Sequence, residues 1–386
     1  MSRVRAVWVG EMRMSKALEG WKDGKVHGET TQLTFPLSNL PTFRPSAALP
    51  VLDQRLRGTT FVALAPRSIL NSPQQTGVDF WSLNPYIGCE FGCTYCYARY
   101  AHRYAVERAR DAGKLSEAEF HDFRGPHGWE AFERRIFVKE RLLGALEADL
   151  GRYMRTARPP DGPTAPIVIG TATDPYQPAE RRFRLTRQVV ERLARCEGLN
   201  VGIITKSPLI ARDVDVLRQL QERSDLEVYI SLITLDARVI RQVEPRSPLP
   251  AVRLRALARL TAAGINAGLI VAPVLPGITD DRPHLEALFR AAREAGARFV
   301  HAGPLRLYAA VRDRFLPVLE AHFPDLVDRY RRAYGGGRSN APRDYARALA
   351  ARVKRLQARC GFPVNDGMID RYRPRRPRGG QGELGL

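Results

Sequence analysis

Cys89, Cys93 and Cys96 stand in the run Asn84-Pro-Tyr-Ile-Gly-Cys-Glu-Phe-Gly-Cys-Thr-Tyr-Cys-Tyr97, a C-x3-C-x2-C spacing. Three thiolates in one short loop form a ligand set for a soft metal centre. A cubic 4Fe-4S cluster has four irons and normally takes four cysteines. Three cysteines leave one iron open, and an open coordination position lets a metal site act on a bound molecule. A zinc reading stands beside it, because His102 follows Cys96 by six residues and completes a Cys3His set. A disulfide is disfavoured by the odd number and by only five cysteines in 386 residues. The sequence has no secretory signal and no apolar run of membrane-spanning length. The expected location is cytoplasmic, with reduced thiols and no membrane partner.

Alternating strands and helices must position these residues. Val78–Leu83 is predicted to be a strand that delivers the cysteine loop and ends at Asn84-Pro85. Further strands are expected at Ile167–Gly170, Val201–Thr205, Glu227–Ile233, Asn266–Val271 and Arg298–Ala302. Helices are expected between them at Arg184–Glu197, Val214–Arg223, Ala251–Ala263 and His284–Ala295. One more, Arg141–Tyr153, falls in the long first crossover. Such alternation argues for parallel strands with right-handed crossovers. Six units are too few for a closed eight-stranded barrel. The expected fold class is therefore α/β, a partial (β/α)6 TIM-like barrel over residues 78–304. An irregular N-terminal extension, 1–77, precedes it. A helical C-terminal region, 305–372, and a basic tail, 373–386, expected to be disordered, follow.

In a parallel barrel, functional groups gather at the C-terminal ends of strands. The second strand runs into Thr171-Ala-Thr-Asp-Pro-Tyr-Gln-Pro-Ala-Glu180, which supplies Asp174 and Glu180. The third ends in Thr205-Lys206-Ser207-Pro208, where an ammonium suits a ligand carboxylate. The fourth carries Ser231, and the fifth ends in Val271-Ala-Pro-Val-Leu-Pro-Gly277. The charged loop Glu244-Pro-Arg-Ser-Pro-Leu-Pro250 leads to Arg253.

The cysteine spacing, with aromatic Tyr95 before the last cysteine, resembles the signature of radical S-adenosylmethionine (AdoMet) enzymes. Together with Thr173-Asp-Pro-Tyr-Gln-Pro, Thr205-Lys-Ser-Pro, Glu244-Pro, Arg253-Leu254 and Val271-Ala-Pro-Val-Leu-Pro-Gly, it resembles the spore photoproduct lyase-like branch. The matching stretches span about residues 78–277. The resemblance implies the same partial barrel, a 4Fe-4S cluster on the three cysteines and AdoMet on the open iron. It implies an electron donor such as flavodoxin or ferredoxin. One electron cleaves the sulfonium to a 5'-deoxyadenosyl radical that abstracts hydrogen. By the same resemblance Lys206 meets the cofactor carboxylate. Thr173, Ser231 and Ala272 make further contacts, with Tyr97 near them, and Asp174, as a strand-end acid, is placed to bond cofactor amino or hydroxyl groups. The lyases place a hydrogen-donating cysteine three residues before the aspartate, where this chain has Thr171. A threonine O–H bond is too strong for that step. Tyr95 and Tyr97 are then the candidates to relay a hydrogen atom, and the chain resembles the branch's uncharacterised relatives rather than the lyase itself.

Lys+Arg 61 against Asp+Glu 41 gives a net charge of +20, which favours a polyanionic partner, nucleic acid first. Two alternatives stand: a metal-stapled nucleic-acid-binding protein without catalysis, and radical modification of a peptide or small molecule. Only Cys196 and Cys360 remain for an auxiliary cluster, too few by themselves.

Overall fold

The computed structural model describes residues 51–54, 58–113, 115–117, 120–121, 128–157 and 164–364. The basic tail and residues 1–50 of the extension lie outside them. Eleven strands are present among the described residues: β1 Val51–Gln54, β2 Thr60–Leu64, β3 Leu70–Asn71, β4 Trp81–Leu83, β5 Tyr86–Ile87, β6 Arg135–Lys139, β7 Ile167–Ile169, β8 Asn200–Thr205, β9 Asp225–Ser231, β10 Ala267–Val274 and β11 Val300–Pro304.

Six of them, β4 and β7 to β11, form a parallel sheet in the order β11-β10-β9-β8-β7-β4, with β3 antiparallel on the β4 edge. The two ends of the sheet do not pair, so the barrel is open, as six units require. The strands are buried on both faces, which is why they read as near-continuous apolar runs. Helices Leu185–Leu193, Val214–Arg223, Pro250–Ala262 and Arg282–Glu294 cover one face. Their apolar residues recur at helical spacing. In Arg282–Glu294, for example, Leu285, Leu288, Phe289 and Ala292 are buried. Each large side chain there contributes about 1.5–3 kcal/mol by leaving water. The expected helix at Arg184–Glu197 begins one residue later, because Arg184 adopts φ 50° and breaks the chain from a short helix at Glu180–Phe183.

A second, four-stranded sheet, β1-β2-β6-β5, joins the end of the N-terminal extension to the first crossover. The extension expected to be irregular therefore contributes two strands here, Val51–Gln54 and Thr60–Leu64, and a third, Leu70–Asn71, to the larger sheet. β2 pairs in parallel with β6 from Thr60↔Arg135 to Leu64↔Lys139, a contact across more than seventy residues. No local pattern announces such a partner.

Of the C-terminal helices, Arg343–Arg359 packs on β11 and on Arg282–Glu294, while Ala309–His322 packs on Val327–Tyr334, Ala237–Val243 and Arg99–Asp111. Tyr330 donates to the Pro276 carbonyl at 2.8 Å and Tyr334 to the Leu305 carbonyl at 3.1 Å. No helix among the described residues is long and apolar enough to cross a membrane.

Candidate cofactor site at the sheet mouth

β4 delivers the cysteine loop to the C-terminal edge of the sheet, and three neighbours hold it there. The Cys89 amide donates to the Phe132 carbonyl at 2.9 Å. Thr94 donates through its amide, at 2.9 Å, and its hydroxyl, at 3.1 Å, to the Val243 carbonyl. The Glu90 amide reaches Gln177 Oε1 at 2.9 Å, and the Glu90 carboxylate accepts from the Ala179 amide at 2.7 Å. Gly88 sits at φ 89°, where a Cβ would come within 2.9 Å of the Phe132 carbonyl oxygen. Only glycine fits both demands.

Cys89 and Cys93 are buried and Cys96 is partly so. Burial pushes all three thiols up; Cys89 is raised further by Asp174 and by the other two cysteines and Cys93 in part by Glu244 and Cys96, whereas Lys206 pulls Cys93 down and Arg99 and Lys206 pull Cys96 down. The three therefore converge on one region. Among the described residues no group of three His, Cys, Asp or Glu can hold a single metal ion. Three sulfur donors are the soft set that a cubic cluster takes, one on each of three irons. His102 is also committed elsewhere: its Nε2 lies 3.1 Å from the Arg135 carbonyl oxygen and its ring packs on Phe132 and Phe137. Burial pulls it down to about 4. The Cys3His expectation has no support in this geometry.

The strand ends complete the mouth. Lys206 Nζ donates to Ser231 Oγ at 2.9 Å and lies 3.7 Å from Glu244 Oε1. Period-two alternation puts Lys206, Ser231, Ala272 and His301 on one face, above a layer of Ile204, Tyr229, Ile270 and Phe299. His301 was not singled out from sequence, since a lone histidine in an apolar strand carries no motif.

Glu244 anchors this side. Its carboxylate accepts from Arg253, from the Tyr95 hydroxyl and from Ser247 Oγ at 2.7 Å. Burial opposes its charge, yet Arg253, Lys206 and Tyr95 hold it down to about 2. Tyr95 is thereby buried and occupied. Tyr97 is 39% exposed at the rim, and its hydroxyl donates to the Thr171 carbonyl.

The second-strand loop is wired inward. Thr173 Oγ1 donates to the Gly88 carbonyl at 2.6 Å and accepts from Gln177 Nε2 at 2.9 Å. Asp174 accepts from Thr205 Oγ1 and the Lys206 amide, both at 2.7 Å, and from the Tyr176 amide at 2.9 Å. Its oxygens pin β7's loop to the end of β8. Glu180 accepts from Tyr86 at 2.5 Å and from the Thr186 amide at 3.0 Å, away from the mouth. Thr171 Oγ1 lies 2.5 Å from Ser82 Oγ and 3.1 Å from Asn84 Nδ2, closing a hydroxyl–amide triangle behind the loop. Cys196 lies beside Arg192 and Cys360 ends the last helix, each far along the chain from the loop.

A parallel partial barrel with a three-cysteine loop at its mouth is the architecture of one enzyme class. The family model of the radical SAM superfamily matches residues 83–289. The chain belongs to that superfamily and is an enzyme of the radical SAM class, whose members use an iron–sulfur cluster and AdoMet. This sets aside the non-catalytic, metal-stapled reading. It is 32% identical over 304 residues, 78% of this chain and 81% of the relative, to an uncharacterised protein of Mycobacterium tuberculosis. An uncharacterised protein of Methanocaldococcus jannaschii is 26% identical over 198 residues, 51% of this chain and 61% of the relative. The fold is shared with spore photoproduct lyase. A mutant of that enzyme with bound AdoMet and dinucleoside spore photoproduct superposes with a TM-score of 0.55 at 15% identity, covering 78% of this chain and 79% of the lyase.

Proposed function

We propose that Cys89, Cys93 and Cys96 hold a 4Fe-4S cluster with one open iron, that AdoMet binds there across the ends of β7 to β10, and that the substrate is nucleic acid. The observation that carries the site reading is the convergence of two buried thiols and a half-buried one with Lys206 and Ser231 on one mouth. When bound, the cluster supplies the single electron for reductive cleavage of the sulfonium.

The chain's own residues prepare that chemistry. Lys206, held between Ser231 and Glu244, offers its ammonium to the cofactor carboxylate. Ala272 lies on the same face, packed against the Tyr229, Ile270 and Phe299 layer. Burial favours the protonated thiols, so loading a cluster on them would release protons. Thr171 is bonded to Ser82 and Asn84 and does not replace the lyases' cysteine. The rim position of Tyr97 suits it better than Tyr95 for relaying a hydrogen atom. A flavodoxin- or ferredoxin-like protein delivers the electron. The net charge of +20 supports a phosphate-rich substrate.

The test is anaerobic reconstitution followed by electron paramagnetic resonance of the reduced protein, with and without AdoMet. A 4Fe-4S signal that shifts on adding the cofactor is expected, and Cys93→Ala should abolish 5'-deoxyadenosine formation. Retained turnover in that variant would sink the assignment. Nucleic-acid binding should weaken steeply with salt; affinity indifferent to salt removes the phosphate-driven substrate.

A further inference from the structure

We infer that Glu133 is a positioning residue that sets the cysteine loop from outside the mouth, acting through Arg99 and Arg246. The inference rests on the cluster reading of the loop. Glu133 is 4% exposed and sits on helix Gly128–Arg134, in the first crossover. Its Oε1 accepts from Arg99 Nη2 at 2.6 Å, and its Oε2 from Arg246 Nη2 at 2.5 Å. Each guanidinium then reaches the loop's backbone. Arg99 Nη2 donates to the Cys93 carbonyl at 2.9 Å, and Arg246 Nε to the Glu90 carbonyl at 2.6 Å.

One carboxylate thus grips the loop at two carbonyls, one on either side of Gly92. The residue before Glu133 grips it a third time, since the Phe132 carbonyl accepts from the Cys89 amide at 2.9 Å. Gly92 lies under the grip with φ 63°. A Cβ there would collide with the Arg246 guanidinium and stand 2.7 Å from Glu133 Oε2. The glycine is required by the clamp as well as by its backbone. Arg314, from the C-terminal helix Ala309–His322, approaches the same carboxylate at 3.5 Å and ties that region to the loop.

A fork is what the arrangement needs. A guanidinium can donate to a carboxylate and a carbonyl in fixed directions at once, and an ammonium presents no such planar fork. Outer partners that orient metal ligands typically matter by about 10–100-fold in metal affinity. Glu133 touches no thiol, so it positions rather than ligates.

The experiment compares the full-length wild type with Arg246→Lys and Glu133→Gln, each reconstituted anaerobically. Iron loss to a ferrous chelator, the electron paramagnetic resonance spectrum of the reduced cluster and the melting temperature are measured. Arg246→Lys keeps the charge and loses the fork at a half-exposed site, so folding should survive. Iron loss about 10-fold faster than wild type with an altered spectrum is expected for both variants; the melting temperature should stay at the wild-type value in Arg246→Lys, the deciding variant, and fall in Glu133→Gln, which leaves Arg99 buried without its carboxylate. Wild-type retention and spectrum in both variants overturn the proposal, and so does iron loss in Arg246→Lys that merely tracks a lowered melting temperature. A wild-type chain that takes up no cluster brings down the cluster reading first, and this proposal with it.

Discussion

Two buried carboxylates flank the cysteine loop, and their partners differ. Glu244 lies inside the mouth, matched by Arg253 with both side chains fully buried, and closed by Tyr95 and Ser247. Glu133 lies outside and is shared by Arg99, Arg246 and Arg314. Inside, Arg253 and Lys206 share one carboxylate, and Arg253 donates its other N–H groups to the Ser231 and Pro248 carbonyls at 2.8 Å, at a strand end and in the loop that follows Glu244 rather than in the cysteine loop. Outside, guanidiniums exceed carboxylates and their remaining N–H groups go to loop carbonyls. The inner node fixes what the mouth presents to a ligand. The outer node fixes where the loop runs.

The comparison breaks most readily at the inner node. Arg253→Met leaves buried Glu244 with only the more distant Lys206 as counter-ion, and loss of one partner of such a pair costs about 3–5 kcal/mol. Denaturant unfolding should show this, and a loss below about 1 kcal/mol would mean that water reaches the carboxylate. His102, packed on Phe132 beside the outer node, gives the next largest effect. Its folded value of about 4 lies below the ordinary 6.5. The unfolded chain therefore binds the proton first. Stability is whole above pH about 6.5 and falls as pH drops toward 4, by up to about 3 kcal/mol. His102→Gln should flatten that stretch of the stability–pH curve, and an unchanged slope would point to other groups.

Tyr95→Phe sharpens the contrast more gently. It removes one hydrogen bond to a charged group, about 1.5–3 kcal/mol, and leaves the Arg253 pair. Unfolding free energy should fall by that amount while the cysteine spacing stays intact. Arg314→Gln should cost least, about 0–1 kcal/mol, because its contact with Glu133 is long and two other arginines remain. A larger loss would make Arg314 a full member of the outer clamp.

Much of the inner region was legible in the sequence. Cys89, Cys93 and Cys96 declare themselves by spacing, and Lys206 and Ser231 by following apolar strand runs. The six parallel strands follow from alternation of apolar runs with helical periodicity. Asp174 was legible as a strand-end acid, but three donors from its own surroundings occupy it. Glu133 and Arg99 gave no signal, because they act on main-chain carbonyls and any loop sequence carries those. The four-stranded sheet was equally silent. Thr60–Leu64 is a plain apolar stretch until Arg135–Lys139 lies beside it.

Chain order alone pointed to three cysteines as a candidate ligand set and to the open parallel barrel, because cysteine spacing and hydrophobic period are local properties of the chain. The tertiary structure alone decided which polar groups meet at the mouth and which are spent on wiring. Hydrogen bonds and ion pairs form between residues that the fold, rather than the chain order, brings within 3 Å. Glu244 and Tyr95, 149 positions apart, share a proton's reach only after the sheet has curled.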